Sequence, residues 1–175
     1  MERGFDPAFC MDMPKPDRGI AGGVIRTMEE LTDWSLPAVP VMMNLYFAPQ
    51  PTGKRCYQLG KAIRKAVESF DQDLKVVIFG TGGMSHQLQG PRAGLINPEF
   101  DKRFLDRLVT DPVGLSRLPH VEYLREAGSE GVEMVMWLIM RGALDDSVEE
   151  IYRFYHVPAS NTAVGHIILE NRRDA

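Results

Sequence analysis

Little in this chain points to a disulfide framework, a membrane or a nucleic acid. There are only two cysteines in 175 residues, Cys10 and Cys56, far apart and outside any CxxC pair, which argues against a disulfide scaffold and a cysteine-based zinc site. Long apolar runs are missing too: the longest, MVMWLIM at 134–140, is far short of the roughly 20 residues that span a bilayer. The opening MERGFD has neither the basic nor the apolar region of a secretory signal. Positive charge is not in excess, since 24 Asp and Glu outnumber 20 scattered Lys and Arg, so nucleic acid is not the expected partner. A soluble, cytoplasmic protein is expected. At 44% hydrophobic residues the chain can bury one real core. Residues 1–175 are therefore read as a single domain, with an irregular segment at 1–37 and an α/β core at 38–170.

What is present sets a strand and helix rhythm. VPVMMNLYF at 39–47, bounded by proline and then by APQPTG, suits a buried strand entering a turn. Over residues 55–70, Cys56, Leu59, Ile63, Val67 and Phe70 recur at helical spacing opposite Lys61, Arg64, Lys65 and Glu68. LKVVIF at 74–79 is short and apolar, as expected of a strand covered on both faces. Further helices are expected at 98–108, opened by Pro98, at 129–140 and at 147–155, and a last strand near the end in SNTAVGHIILE. A short helix is expected from VIRTMEEL.

The strand at 74–79 runs into GTGGMSHQLQG. Glycines there let the backbone turn sharply and approach a ligand closely. In an open α/β sheet the crevice beyond the strand ends is the usual ligand site, and His86 would be delivered to it. Imidazole is the side chain best poised to move protons near neutral pH, although a lone histidine in a turn is more often structural. A phosphate cradle is disfavoured because no GxxxxGK[ST] order exists, and Ser85 lacks the GxSxG setting of a nucleophile. In AGSEGVEMVMW, Ser129 is a possible N-cap, and helix capping is sufficient to explain Glu130. Glu133, set among Val132, Met134, Val135 and Met136, needs a partner, which a metal ion would supply.

Three strings, GTGGMSHQLQGPRAGLINPEFD, LREAGSEGVEMVMWLIMRGAL and FYHVPASNTAVG, resemble consecutive pieces of the class III extradiol ring-cleaving dioxygenases. The likeness is greatest to the catalytic β subunits of protocatechuate 4,5-dioxygenases and runs from about residue 51 to about residue 169 by eye. The resemblance implies a three-layer α/β/α fold with a mixed sheet. It also implies extradiol cleavage of a catecholic aromatic acid such as protocatechuate by a non-haem Fe(II) enzyme, with dioxygen as second substrate. Carried over residue by residue, His86 would be the acid/base, Glu133 the carboxylate ligand of Fe(II), and Ser160 and Asn161 the contacts to the substrate carboxylate. A 2-His-1-carboxylate site leaves positions at iron for catecholate and dioxygen together.

The departures bear on activity. The family's two histidine ligands precede everything seen here, and this chain is expected to lack them together with the family's N-terminal part. None of His120, His156 and His166 falls in a ligand motif. Arg18 stands in DRG where the family has DHG, which bears on substrate choice. Two readings follow. The chain is part of a dioxygenase whose remaining iron ligands come from elsewhere, or it is a metal-free, non-catalytic subunit that binds an aromatic acid or a partner. In either case an open sheet edge predicts a homo- or hetero-oligomer.

Overall fold

The computed structural model describes residues 4, 5, 7, 8 and 22–172. Cys10 and Arg18 lie outside the described residues. The chain divides into two compact units, residues 1–43 and 44–175. In the first, the expected short helix is α1, Gly22–Thr32. Asp33 and Trp34 follow it with φ of 47° and 53°, and the Trp34 amide bonds back to the Met28 carbonyl at 3.2 Å.

The second unit is mostly helical, with α2 (Gly53–Glu68), α3 (Pro98–Thr110), α4 (Pro112–Ser116), α5 (His120–Glu126) and α6 (Trp137–Gly142). Local chemistry explains where the two longest begin. Thr52 caps α2 by accepting from the Arg55 amide at 3.2 Å, and Asn97 caps α3 by accepting from the Phe100 amide at 3.1 Å with Pro98 behind it. Asn97 also donates to the Glu126 carbonyl at 3.1 Å, so it ties α3 to the end of α5. Asn97→Ala is expected to cost about 1–2 kcal/mol, read as a lower urea midpoint at unchanged slope.

The core lies among α3, α4, α5, α6 and the segment leading into α6. Phe104, Leu105, Leu108, Leu115, Tyr123, Met134, Val135 and Leu138 are all buried. The Tyr123 ring meets Phe100 and Phe104 edge-on, and Phe104 meets Trp137 in the same way. Each fully buried large apolar side chain contributes about 1.5–3 kcal/mol. Helix α2 joins this core through Cys56, Tyr57 and Gly60. The Cys56 thiol is free, and burial pushes it up to about 11. The apolar stripe anticipated along α2 is buried only at its start: Val67 and, beyond the helix, Phe70 are exposed.

Several expectations change. Residues 147–155 do not form a helix. Val148–His156 is strand β1, paired antiparallel with β2, Val164–Asn171, from Val148 opposite Asn171 to His156 opposite Val164. The expected helix at 129–140 is a 3-10 segment, Gly131–Met136, running into α6, and Ser129 does not cap it. Residues 39–47 and 74–79 carry no strand ladder, and the hairpin of β1 and β2 is the sheet found among the described residues. Instead of being covered on both faces, Leu74, Val76, Val77 and Phe79 are 45–64% exposed. Helices and a small antiparallel sheet are thus consistent with the α/β class. Among the described residues no helix is long and apolar enough to cross a membrane.

Candidate active site

The turn after residue 79 is held on every side. Gly82 has φ of 120°, a conformation that side chains rarely adopt, and its carbonyl accepts from the Trp137 indole at 3.2 Å. A Cβ on Gly83 would lie 2.8 Å from His86 Cε1 and 2.9 Å from Thr162 Cγ2. Only a bare backbone lets the imidazole fold back over the turn. His86 is 6% exposed. Its amide donates to the Ala127 carbonyl at 2.7 Å, and its Nδ1 lies 2.8 Å from the Met84 carbonyl.

The loop between β1 and β2 completes the arrangement. His86 forms an isolated antiparallel bridge with Thr162, flanked by Met84 N–H to Ala163 O at 3.0 Å and Ala163 N–H to Ser85 O at 3.1 Å. Two strings far apart in sequence are thereby stitched together. Ser160 and Asn161, which precede Thr162 in this loop, are exposed, and Asn161 has φ of 56°, a left-handed conformation that asparagine tolerates better than most residues.

Glu133, half-buried on the 3-10 segment, reaches the same turn. Its Oε2 accepts from the Gly83 amide at 3.0 Å, and its Oε1 accepts from the Tyr46 hydroxyl. Gly83 therefore lies between His86 and Glu133. Burial, reinforced by the Glu133 carboxylate, holds the Tyr46 phenol above its usual range. Glu130 has a different part: it accepts from Ser129 Oγ at 2.7 Å and from the Leu88 amide at 3.1 Å. Those contacts, the serine first, lower its carboxyl below the usual range and anchor the loop after His86.

Thus His86 and Glu133 meet around one turn and the loop carrying Ser160 and Asn161 is bridged to it through Thr162, whereas His120, at the start of α5, and His156 and His166, flanking the Phe154 ring on the hairpin, lie elsewhere. No group of three His, Cys, Asp or Glu that could hold a metal is found among the described residues. Glu133 fits one position of such a site, because it is oriented by two donors and retains further lone pairs. Any remaining ligands would come from outside the described residues. A cavity of about 200 Å³ between α3, α4 and α5 is lined by none of these side chains.

Two contributors escaped the sequence reading. Tyr46 lies within an apolar run and carries no signal that it meets Glu133. Asp101 did carry one: with Phe104, Leu105 and Leu108 it lies on the buried face of α3, where a carboxylate requires partners. It is fully buried, and burial raises its carboxyl above the usual range against the pull of Ser85 and Tyr155.

Residues 1–165 match the family described as "Catalytic LigB subunit of aromatic ring-opening dioxygenase". The chain is 43% identical over 171 residues to a gallate dioxygenase of Pseudomonas putida, covering 98% of this chain and 50% of that protein. It is 33% identical over 101 residues to a 2,3-dihydroxyphenylpropionate/2,3-dihydroxicinnamic acid 1,2-dioxygenase of Photorhabdus laumondii, covering 58% of this chain and 30% of that protein. A like-named enzyme of Dechloromonas aromatica is 28% identical over 149 residues, covering 74% of this chain and 46% of its own length. The chain spans half or less of the length of these relatives.

Proposed function

The chain belongs to the family of catalytic LigB subunits of aromatic ring-opening dioxygenases, and from that premise we propose that it supplies part of the active site for extradiol cleavage of a catecholic aromatic acid. The observation that carries the reading is that His86 and Glu133 both close on Gly83, while the β1–β2 loop that carries Ser160 and Asn161 is bridged to His86 through Thr162. Protocatechuate and gallate both suit it, since each presents vicinal hydroxyls on one side of a ring and a carboxylate on the other. The gallate dioxygenase similarity supports this class of hydroxybenzoate.

In this reading Glu133 is the carboxylate ligand of Fe(II), held by Tyr46 and Gly83, with the other ligands contributed from outside the described residues. Bound iron would hold the catecholate and dioxygen together and relay electrons between them. The chain's own residues do the rest. Ser160 Oγ and the Asn161 amide donate to the substrate carboxylate and set the ring's orientation. Because the Met84 carbonyl can only accept, His86 Nδ1 carries the proton of that hydrogen bond, and Nε2 of the neutral ring is the atom that takes a proton from a substrate hydroxyl and later returns it. Packing of the turn against Trp137 and Thr162 limits water on the back of the imidazole.

We further read residues 74–79 as an inner strand of a three-layer, mixed-sheet arrangement completed by chain from elsewhere. Pairing of that kind would give the oligomer or hetero-complex in which the site is complete.

The test is anaerobic Fe(II) binding and oxygen uptake on protocatechuate and gallate, using the protein purified with any partner chain it retains. Removing an outer-shell partner of a metal ligand costs about 10–100-fold in affinity. Glu133→Ala is therefore expected to weaken iron binding by more than about 100-fold and to stop uptake. Iron retained by Glu133→Ala overturns the ligand assignment. If the protein takes up no iron or oxygen, yet binds the aromatic acids and loses that binding in Asn161→Ala, the non-catalytic reading replaces this one.

A further inference from the structure

We propose that Asp101 is a positioning residue for proton transfer, which acts through Ser85 to hold the His86 imidazole as its Nδ1–H tautomer. Its relevance to turnover rests on the acid/base reading of His86. The geometry itself does not.

Three donors converge on the fully buried Asp101 carboxylate. The Ser85 amide reaches Oδ1 at 2.9 Å, while the Ser85 hydroxyl and the Tyr155 hydroxyl reach Oδ2 at 2.6 and 2.8 Å. Ser85 Oγ in turn accepts from the Asn97 amide at 2.8 Å, so its single proton is committed to Asp101. That commitment also leaves Ser85 unfit as a nucleophile activated by its neighbour. Ser85 lies between Met84, whose carbonyl receives His86 Nδ1, and His86 itself. The Ala163 pairings fix Met84 and Ser85 from the other side. Asp101 thus anchors the backbone that presents the one acceptor deciding which ring nitrogen keeps its proton. Tyr155, from β1, links this anchor to the hairpin whose loop carries Ser160 and Asn161.

A carboxylate that only stabilised α3 would be indifferent to the tautomer of His86, and this separates the two roles. The measurement is a long-range ¹H–¹⁵N spectrum of the imidazoles in the ¹⁵N-labelled 175-residue chain, taken above the ordinary histidine range, with His86→Ala assigning the resonance. Wild type is expected to show one dominant Nδ1–H form for His86. Asp101→Asn keeps shape and removes charge; it is expected to bring the His86 Nδ1 and Nε2 signals together as the two tautomers mix, leaving His156 and His166 unmoved. Ser85→Ala should shift them in the same direction by less, and Tyr155→Phe by least.

Folded Asp101→Asn with wild-type His86 signals overturns the proposal. If that variant does not fold, Ser85→Ala and Tyr155→Phe decide: shifted His86 signals in folded samples sustain it, and unshifted ones overturn it. In active enzyme Asp101→Asn should lower kcat while KM stays within about twofold. If His86→Ala keeps turnover while Asp101→Asn still mixes the tautomers, the acid/base reading fails and the positioning role stands.

Discussion

The His86→Ala variant is expected to open the aromatic ring about 10²–10⁴-fold more slowly than wild type while binding as much iron. The loss is that of a positioned proton carrier. His86 is 6% exposed, its Nδ1 is occupied by the Met84 carbonyl, and its backbone is paired with Ala127 and bridged to Thr162. Water entering in place of the ring could move protons, but without a fixed direction or a pKa suited to neutral pH. Turnover and metal content should be read on the same iron-loaded sample. Loss of iron together with activity would make His86 a ligand and transfer the proton chemistry to another group.

Gly60→Ala is expected to be the most damaging small substitution for the fold. On an exposed helix this change stabilises by about 1 kcal/mol. Here the added Cβ would stand 2.1 Å from the Ile139 carbonyl oxygen and 2.8 Å from Gly142 Cα. The constraint is mutual, since a Cβ on Gly142 would come within 2.2 Å of the Tyr57 carbonyl oxygen. Backbone atoms inside two packed helices cannot swing aside as the end of a side chain can. Overpacking of a core costs about 1–3 kcal/mol, and a clash with main chain belongs at or above the top of that range. Set against a typical total of about 5–15 kcal/mol, the urea midpoint should fall steeply. An unchanged midpoint would mean that α2 and α6 do not meet at these glycines.

The parts legible in the sequence were those decided by neighbours along the chain. The apolar spacing from Cys56 onward and Pro98 announce α2 and α3 because both signals act within a turn or two of the chain. The strand at 148–156 was hidden for a physical reason. A bulge between Glu150 and Tyr152 interrupts the alternation that marks a strand, and Val148, Ile151 and Tyr155 then imitate helical spacing. Pairing with β2, a distant choice, settles the matter. At the candidate site, Gly83 and His86 were legible from a glycine-rich turn after an apolar run, and Glu133 from a carboxylate out of place among methionines and valines. That Tyr46 and Gly83 would hold Glu133, or that Asp101 would reach Ser85 and Tyr155, depends on contacts across 16 to 87 residues. No local period encodes these.

The exposed segment at 74–79 is also expected to govern how the protein behaves in the test tube. Leu74, Val76, Val77 and Phe79 offer apolar surface at 45–64% exposure along backbone with free donors and acceptors, the combination from which cross-β stacking starts. Two molecules meeting at this segment satisfy one another's main chain without altering the rest of their structure. Turbidity on concentration would therefore originate there rather than in the helical core. A lysine gatekeeper at position 77, the most exposed of the four, is the substitution that counters it.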